Sequence, residues 1–155
     1  MISTEVGAVV RDYRESDIEG VLDVWYRASQ VAHPFLSEDF LARERERIRS
    51  QHMPRARSWV FEEDGRVVGF IALLGSEVGA VFVDPDRHGR GIGTALVDVA
   101  RELHETLELE VFEANAIGRA FYAGYGFVPV GRNVHEETGQ PALRLRYSRD
   151  GDGAR

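Results

Sequence analysis

The feature that most constrains the fold is the stretch VDPDRHGRGIGTAL, residues 83–96, in the middle of the chain. An apolar run ends at Asp84-Pro85, and glycines then alternate through Gly89, Gly91 and Gly93 before a segment with helical spacing. A strand that feeds a glycine-rich loop at the start of a helix can hold a phosphate, because the first N–H groups of a helix lack intrahelical partners. The stretch therefore predicts either a phosphate-binding loop or a flexible surface turn.

The spacing within this loop excludes two familiar nucleotide-binding motifs. A P-loop needs a lysine before Ser or Thr, and the chain contains no lysine. A dinucleotide site needs Gly-x-Gly-x-x-Gly, but Leu96 stands three residues after Gly93. The candidate phosphate ligands are the backbone N–H groups of residues 89–94, with added charge from Arg87 and Arg90.

Hydrophobic periodicity on both sides of the loop predicts a single α/β domain with a mixed sheet over residues 1–148, followed by a disordered tail at 149–155. The predicted element order is β-α-α-β-β-β-α-β-α-β-β. The first strand lies in VGAVVRDYR, and a capping box of Ser16 and Glu19 is predicted for the helix that follows. The strand before the glycine loop is EVGAVFV.

Composition narrows the function classes further. The net charge of −7 argues against a nucleic-acid binder. There is no cysteine, which excludes thiolate nucleophiles and cysteine-based metal sites, and we predict no metal site. No apolar stretch approaches the roughly 20 residues that span a bilayer, and the first residues do not read as a signal peptide. We therefore expect a cytoplasmic protein without membrane partners.

Two motifs together resemble the GCN5-related N-acetyltransferase (GNAT) family. The first is VDPDRHGRGIG, residues 83–93, which is similar to the family's strand, Val-x-Pro and glycine-loop motif. The second is NAIGRAFYAGYGF, residues 115–127, which is similar to the family's Asn…Phe-Tyr…Gly-Phe signature. The resemblance covers nearly the whole chain, and the segment WYRASQVAHPFLSEDF resembles the bacterial YjaB-like branch.

The resemblance implies a mostly antiparallel sheet, splayed at an acetyl-CoA site, and direct transfer of an acetyl group to a primary amine in a ternary complex. It implies that the pantetheine arm contacts the backbone of residues 81–83 and that Asn115 contacts the CoA arm near the thioester. Homodimers are common in the family, so a homodimer is an expected assembly. The implied cofactor-binding residues are Val81, Phe82, Val83, His88, Gly89, Arg90, Gly91, Ile92, Gly93, Thr94 and Asn115.

The resemblance also implies that Tyr122 protonates the departing CoA thiolate. A phenol with a pKa near 10 stays protonated at neutral pH and can donate to that sulfur. Tyr125 is a neighbouring alternative, and both tyrosines could instead only pack a short helix.

Two positions depart from the family pattern. His88 stands where the family has Arg or Gln, and Gly118 stands where it usually has Ala. Neither departure removes the backbone N–H groups that would bind a phosphate, so the prediction of acetyl-CoA stands.

The general base and the acceptor amine stay open at this point. Candidate bases are Glu77 at the start of a strand, His33 and Glu38 between the first two helices, and a chain of water molecules. The acidic balance favours a cationic acceptor such as a polyamine, an amino sugar or a basic peptide terminus. The alternatives to an enzyme are a CoA-binding sensor without turnover and a generic phosphate binder. Residues that could line the acceptor pocket are Trp25, Tyr26, His33, Phe35 and Glu77.

Overall fold

An eight-stranded sheet organises the chain in this computed structural model, which describes residues 2–5 and 7–149. The strands are β1 (Ile2–Glu5), β2 (Ala8–Asp12), β3 (Arg57–Glu63), β4 (Arg66–Leu74), β5 (Glu77–Val83), β6 (Thr106–Phe112), β7 (Val128–Val134) and β8 (Pro141–Ser148). They lie side by side in the order β1-β2-β3-β4-β5-β6-β8-β7. Every neighbouring pair is antiparallel except β5 and β6, which are parallel.

The helices are α1 (Ile18–Ala32), α2 (Glu38–Arg47), α3 (Met53–Arg55), α4 (Ile92–Leu103) and α5 (Ala116–Tyr125). A π-helical turn, Ile48–His52, joins α2 to α3, and 3₁₀ turns precede α1 and α4. In the described part of the chain, no helix is both long and apolar enough to cross a membrane.

The predicted α/β fold class and mixed sheet are confirmed, with one additional strand. The extra strand β1 forms a hairpin with β2 through Gly7, whose φ is +82°. Its sequence, ISTE, is short and has a single apolar residue, Ile2, which gives little strand signal. The predicted tail at 149–155 lies outside the described residues, apart from Arg149, whose backbone N–H donates to Glu105.

The predicted capping box at the start of α1 is wrong. The capping carboxylate belongs to Asp17, whose Oδ2 accepts from the backbone N–H of Arg14 at 2.8 Å, and not to Glu19. Asp17 is held there by the buried guanidinium of Arg11, 2.8 Å from its Oδ1. The ion pair with Arg11 therefore holds the carboxylate that caps the 3₁₀ turn before α1.

Apolar residues cover both faces of the sheet, and β4 shows how the two layers are built. Phe70 and Ala72 point toward α1 and α2, whereas Ile71 and Leu73 point toward α4. Alternate residues of a strand face opposite sides, so a strand with helices on both sides is apolar along its length. This arrangement explains the unbroken apolar run at the centre of RVVGFIALL.

The sheet opens between β5 and β6. These strands share one register pair, Glu77 with Glu108, at the start of β5. Beyond it β5 stays paired only with β4, and the register slips around Gly79, where β5 carries one extra residue. Bulges bend and twist a strand, and this one lies where β5 begins to part from β6.

Asp84 fastens the end of β5 to its surroundings. Its carboxylate is 1% exposed and lies 2.9 Å from Arg27 and 3.2 Å from Arg87. The second carboxylate oxygen accepts from the backbone N–H of Asp86 at 2.9 Å. Burial alone would raise the pKa of Asp84, but the hydrogen bonds from Arg27 and Asp86 and the two arginine charges together lower it. These contacts therefore fix the position of the residue from which the glycine loop begins.

We expect Asp84→Asn to lower the free energy of unfolding by about 2 kcal/mol, because it removes the shared partner of Arg27, Arg87 and the more distant Arg66, which all remain partly solvated. The folded-state pKa of Asp84 is lowered, so its stabilisation is present above pH of about 4 and is lost as the pH falls through the folded-state value. Urea unfolding over a range of pH measures both effects.

The control for this prediction is Asp86→Asn, which changes the exposed partner of the same Arg27. An exposed ion pair contributes at most about 1 kcal/mol, so this variant is expected to unfold nearly like the wild type. Equal losses in the two variants would contradict the role of Asp84 as the anchor.

Candidate active site

A cleft of about 820 Å³ opens where β5 and β6 part. It is lined by residues of α1, β5, the glycine loop, β6, α5 and the turn between β7 and β8. The predicted site residues that line it are Trp25, His33, Glu77, Val81, Phe82, Val83, His88, Gly89, Gly91, Ile92, Gly93, Thr94, Asn115 and Tyr122.

The glycine loop presents free backbone donors to this cleft. The helix α4 begins at Ile92 without a side-chain cap, and its first hydrogen bond runs from the N–H of Ala95 to Gly91 at 3.0 Å. Among the described residues, no group accepts from the N–H groups of residues 88–94. These donors, together with the positive end of the helix dipole, suit the pyrophosphate of CoA.

The three loop glycines are needed for two different reasons. Gly89 and Gly91 have φ of +80° and +82°, a conformation that L-residues with a side chain rarely adopt. Gly93 has ordinary helical geometry, but a Cβ there would lie 3.1 Å from the ring of Phe121. The third glycine therefore allows α5 to pack against the first turn of α4.

The charged side chains of the loop differ from the sequence-based expectation. Arg87 does not offer its charge to a phosphate, because it is bound to Glu63 at 2.6 Å and to Asp84. Arg90 is exposed and has no ion-pair partner in the described part of the chain, but its side chain does not line the cleft. The exposed ring of His88 donates from Nε2 to the carbonyl of Val83 at 3.1 Å, so it stabilises the loop.

The two candidate tyrosines have different surroundings. Tyr122 lines the cleft, and no group among residues 2–5 and 7–149 hydrogen-bonds to its hydroxyl. Burial raises the pKa of Tyr122 to about 12, so the phenol stays protonated at physiological pH. Tyr125 lies outside the cleft and donates to Asp98 at 2.6 Å. The catalytic role of Tyr122 stays a prediction, with Tyr125 a poor alternative.

His33 and Asn115 meet at the wall of the cleft. The Nδ2 of Asn115 lies 3.2 Å from the Nε2 of His33, and both side chains are buried. Burial lowers the pKa of His33 from 6.5 to about 4, so the ring is neutral at pH 7 and is a weak proton acceptor. This environment argues against His33 as the general base.

Three carboxylates among the described residues line the cleft, and their partners differ. Glu77 forms a bidentate ion pair with Arg144, so both of its carboxylate oxygens are occupied. Glu44 lies 3.2 Å from Arg47. Glu110 accepts only from the amide of Asn133, at 2.9 Å, and no cation lies within ion-pair distance in the described part of the chain.

The residues predicted for the acceptor pocket lie in different places. Trp25 lines the cleft although its ring is largely buried in the core. Phe35 does not line the cleft, because its ring packs against His33 and Phe112. Tyr26 and Glu38 also lie outside the cleft, where the tyrosine hydroxyl donates to the carboxylate at 2.9 Å on the exposed surface.

The sequence reasoning did not identify Glu44, Glu110 or His135, which all line the cleft. The ring of His135 packs against Phe40 and Phe112, and Thr138 donates to its Nδ1. Alternation in LELEVF gives a signal for Glu110, since Glu108, Glu110 and Phe112 share one face of the strand. The sequence carries no comparable signal for His135, which lies in a turn.

Comparison with known proteins identifies the chain's relatives. Residues 54–129 match the sequence profile of the Acetyltransferase (GNAT) domain family. The chain is 36% identical over 141 residues to the peptidyl-lysine N-acetyltransferase YjaB of Salmonella typhimurium, covering 89% of this chain and 97% of that protein. It is 31% identical over 140 residues to the peptidyl-lysine N-acetyltransferase YiaC of Escherichia coli, covering 90% and 96% of the two chains.

The fold agrees with this relationship. The solution structure of apo-form YjaB from Escherichia coli matches with a TM-score of 0.81 and 33% identity, covering 90% of this chain and 97% of that chain. The predicted YjaB-like resemblance is therefore confirmed. The chain belongs to the GNAT family of acetyltransferases, which transfer an acetyl group from acetyl-CoA to an amine.

Proposed function

We propose that this N-acetyltransferase acetylates lysine side-chain amines of peptides or proteins. The observation that carries the proposal is Glu110, a carboxylate on the wall of a cleft that opens to solvent, which has no cation within ion-pair distance in the described part of the chain. A lysine side chain enters such a cleft as a cation, and carboxylates attract it there. The two curated relatives described above are both named peptidyl-lysine N-acetyltransferases, which supports the same class of acceptor.

The CoA side of the cleft suits binding through backbone groups. The free N–H groups of residues 88–94 would hold the pyrophosphate, and the unpaired edge of β5 at residues 81–83 would bind the extended pantetheine arm. Acetyl-CoA supplies an acetyl group that is activated as a thioester. The chain has no cysteine to carry an acetyl group, so we infer direct transfer to the amine.

Two side chains are suited to move the protons. Glu110 would accept a proton from the incoming ammonium, because its carboxylate has no competing cation in the described part of the chain. Tyr122 would donate its hydroxyl proton to the departing CoA sulfur, since its raised pKa keeps that proton in place.

A homodimer and a cytoplasmic location accompany this proposal as predictions from the sequence.

The acceptor class is tested with a panel of amines. We expect release of CoA with lysine-containing peptides, with the acetyl group located on the side-chain amine by mass spectrometry. Spermidine, glucosamine and peptides with only a free N-terminal amine serve as competing acceptors. Faster turnover of any of these would contradict the proposal, and binding of acetyl-CoA without turnover on the panel would favour a sensor.

We expect Tyr122→Phe to lower kcat roughly 10- to 100-fold with nearly unchanged affinity for acetyl-CoA, because the ring is kept and only the proton donor is lost. The matched control is Tyr125→Phe, which removes a hydroxyl bonded to Asp98 outside the cleft. Steady-state kinetics and calorimetric binding separate the two effects. A wild-type kcat in Tyr122→Phe would contradict the proposed acid role.

We expect Glu110→Gln to lower kcat/KM for a lysine peptide about 100-fold at pH 7. The deficit should shrink as the pH approaches the lysine pKa of about 10.4, because the amine then loses its proton without help. The burial of Tyr122 keeps its phenol protonated over this range. Glu105→Gln makes the same charge change at an exposed site outside the cleft, and an equal deficit there would contradict the role of Glu110.

A further inference from the structure

The carboxamide of Asn115 has a fixed orientation. Its Oδ1 accepts from the backbone N–H of Gly118 at 2.8 Å, which caps α5. Since a backbone N–H can only donate, the atom that faces Gly118 must be the oxygen. The Nδ2 of Asn115 therefore faces His33, at 3.2 Å from its Nε2.

This orientation determines where the proton of His33 lies. The Nδ2 group of an amide can only donate, so the Nε2 of His33 must accept. A neutral imidazole that accepts at Nε2 carries its proton on Nδ1. One N–H of Asn115 is used by this bond, and the second has no partner among residues 2–5 and 7–149. Asn115 lines the cleft, so this second N–H is available to a ligand.

Gly118 leaves the space that this arrangement needs. A Cβ at position 118 would lie 2.5 Å from the Nδ2 and 3.0 Å from the Cγ of Asn115. The carboxamide cannot move aside without losing its bond to the Gly118 N–H or its bond to His33. Glycine in place of the usual alanine at position 118 therefore allows Asn115 to bond to His33.

The ring of His33 is held by contacts from several parts of the cleft wall. Ring centroids of Phe35, Phe82 and Phe112 lie 5.7, 6.3 and 5.2 Å away, all edge-on. These residues belong to the connection between α1 and α2, to β5 and to β6. His33 therefore contacts β5, β6 and the connection between α1 and α2 through its ring. Its hydrogen bond to Asn115 links these segments to the start of α5.

We propose that His33 is a positioning residue, which orients the carboxamide of Asn115 toward the CoA arm through a hydrogen bond for which Gly118 makes room. The proposal rests on the proposed function in one respect, namely that Asn115 contacts CoA. His33 acts through Asn115 and exchanges no proton with the substrates.

The test compares variants that break the bond from either side. We expect His33→Leu and Gly118→Ala each to weaken acetyl-CoA binding roughly tenfold and to raise its KM more than they lower kcat. His33→Gln should restore most of the affinity, because its Oε1 can accept in place of Nε2. The combined variant His33→Leu/Gly118→Ala should lose no more than either single variant, since both remove one interaction.

The matched control is Gly124→Ala, in the same helix, where a Cβ meets no atom within 4 Å. Alanine favours the helix at both positions, so thermal unfolding should not penalise Gly124→Ala, and any loss of binding in Gly118→Ala alone is due to the displaced amide. Full affinity in His33→Leu and Gly118→Ala, or additive losses in the double variant, would overturn the proposal.

A spectroscopic readout separates this proposal from the proposed function. Nitrogen-15 spectra of the imidazole at pH 7 should show His33 protonated on Nδ1 in the wild type and released from that tautomer in Gly118→Ala. A wild type protonated on Nε2 would overturn the proposal whatever the activity. A wild type that shows the Nδ1 tautomer but does not bind acetyl-CoA would contradict the proposed function and leave the His33–Asn115 bond supported.

Discussion

The structure depends above all on the parting of two parallel strands. β5 and β6 share a single register pair, Glu77 with Glu108, and the ion pairs of Arg144 with both acids fasten the sheet at that end. Beyond it, one edge of β5 has no strand partner, and unpaired backbone groups are costly unless water or a ligand satisfies them. The same separation makes the cleft and leaves an extended edge for the pantetheine arm.

Much of the CoA side could be predicted from the sequence because backbone requirements leave a local signature. Glycines at 89 and 91 are required by positive φ, and a strand before them with a helix after them defines the direction of the free N–H groups. The reason for Gly93 could not be predicted in this way, since it depends on the ring of Phe121 from another helix. The same limit applies to Arg87, because the loop sequence does not show that Glu63 and Asp84 bind its guanidinium.

The acceptor side could be predicted only in part because its residues come from distant segments. Alternation in β6 puts Glu110 and Phe112 on one face, but only the strand order shows that this face meets the cleft. The sequence offers His33 as a candidate base, yet its surroundings make it a neutral partner of Asn115. Burial and hydrogen-bond partners decide what a titratable side chain can do, and neither is local in sequence.

The two sides of the cleft therefore tolerate change differently. The CoA side relies on backbone donors, so His88 can replace the usual loop residue and bind the Val83 carbonyl without removing a phosphate ligand. On the acceptor side the side chains would bind the amine, so one substitution changes the charge or the shape of that part of the cleft directly. Gly118 lies where the two sides meet, because its missing Cβ leaves room for the carboxamide of Asn115 to bond to His33. A side chain at position 118 would therefore disturb the bond between Asn115 and His33, whereas a change at His88 leaves the backbone donors of the loop in place.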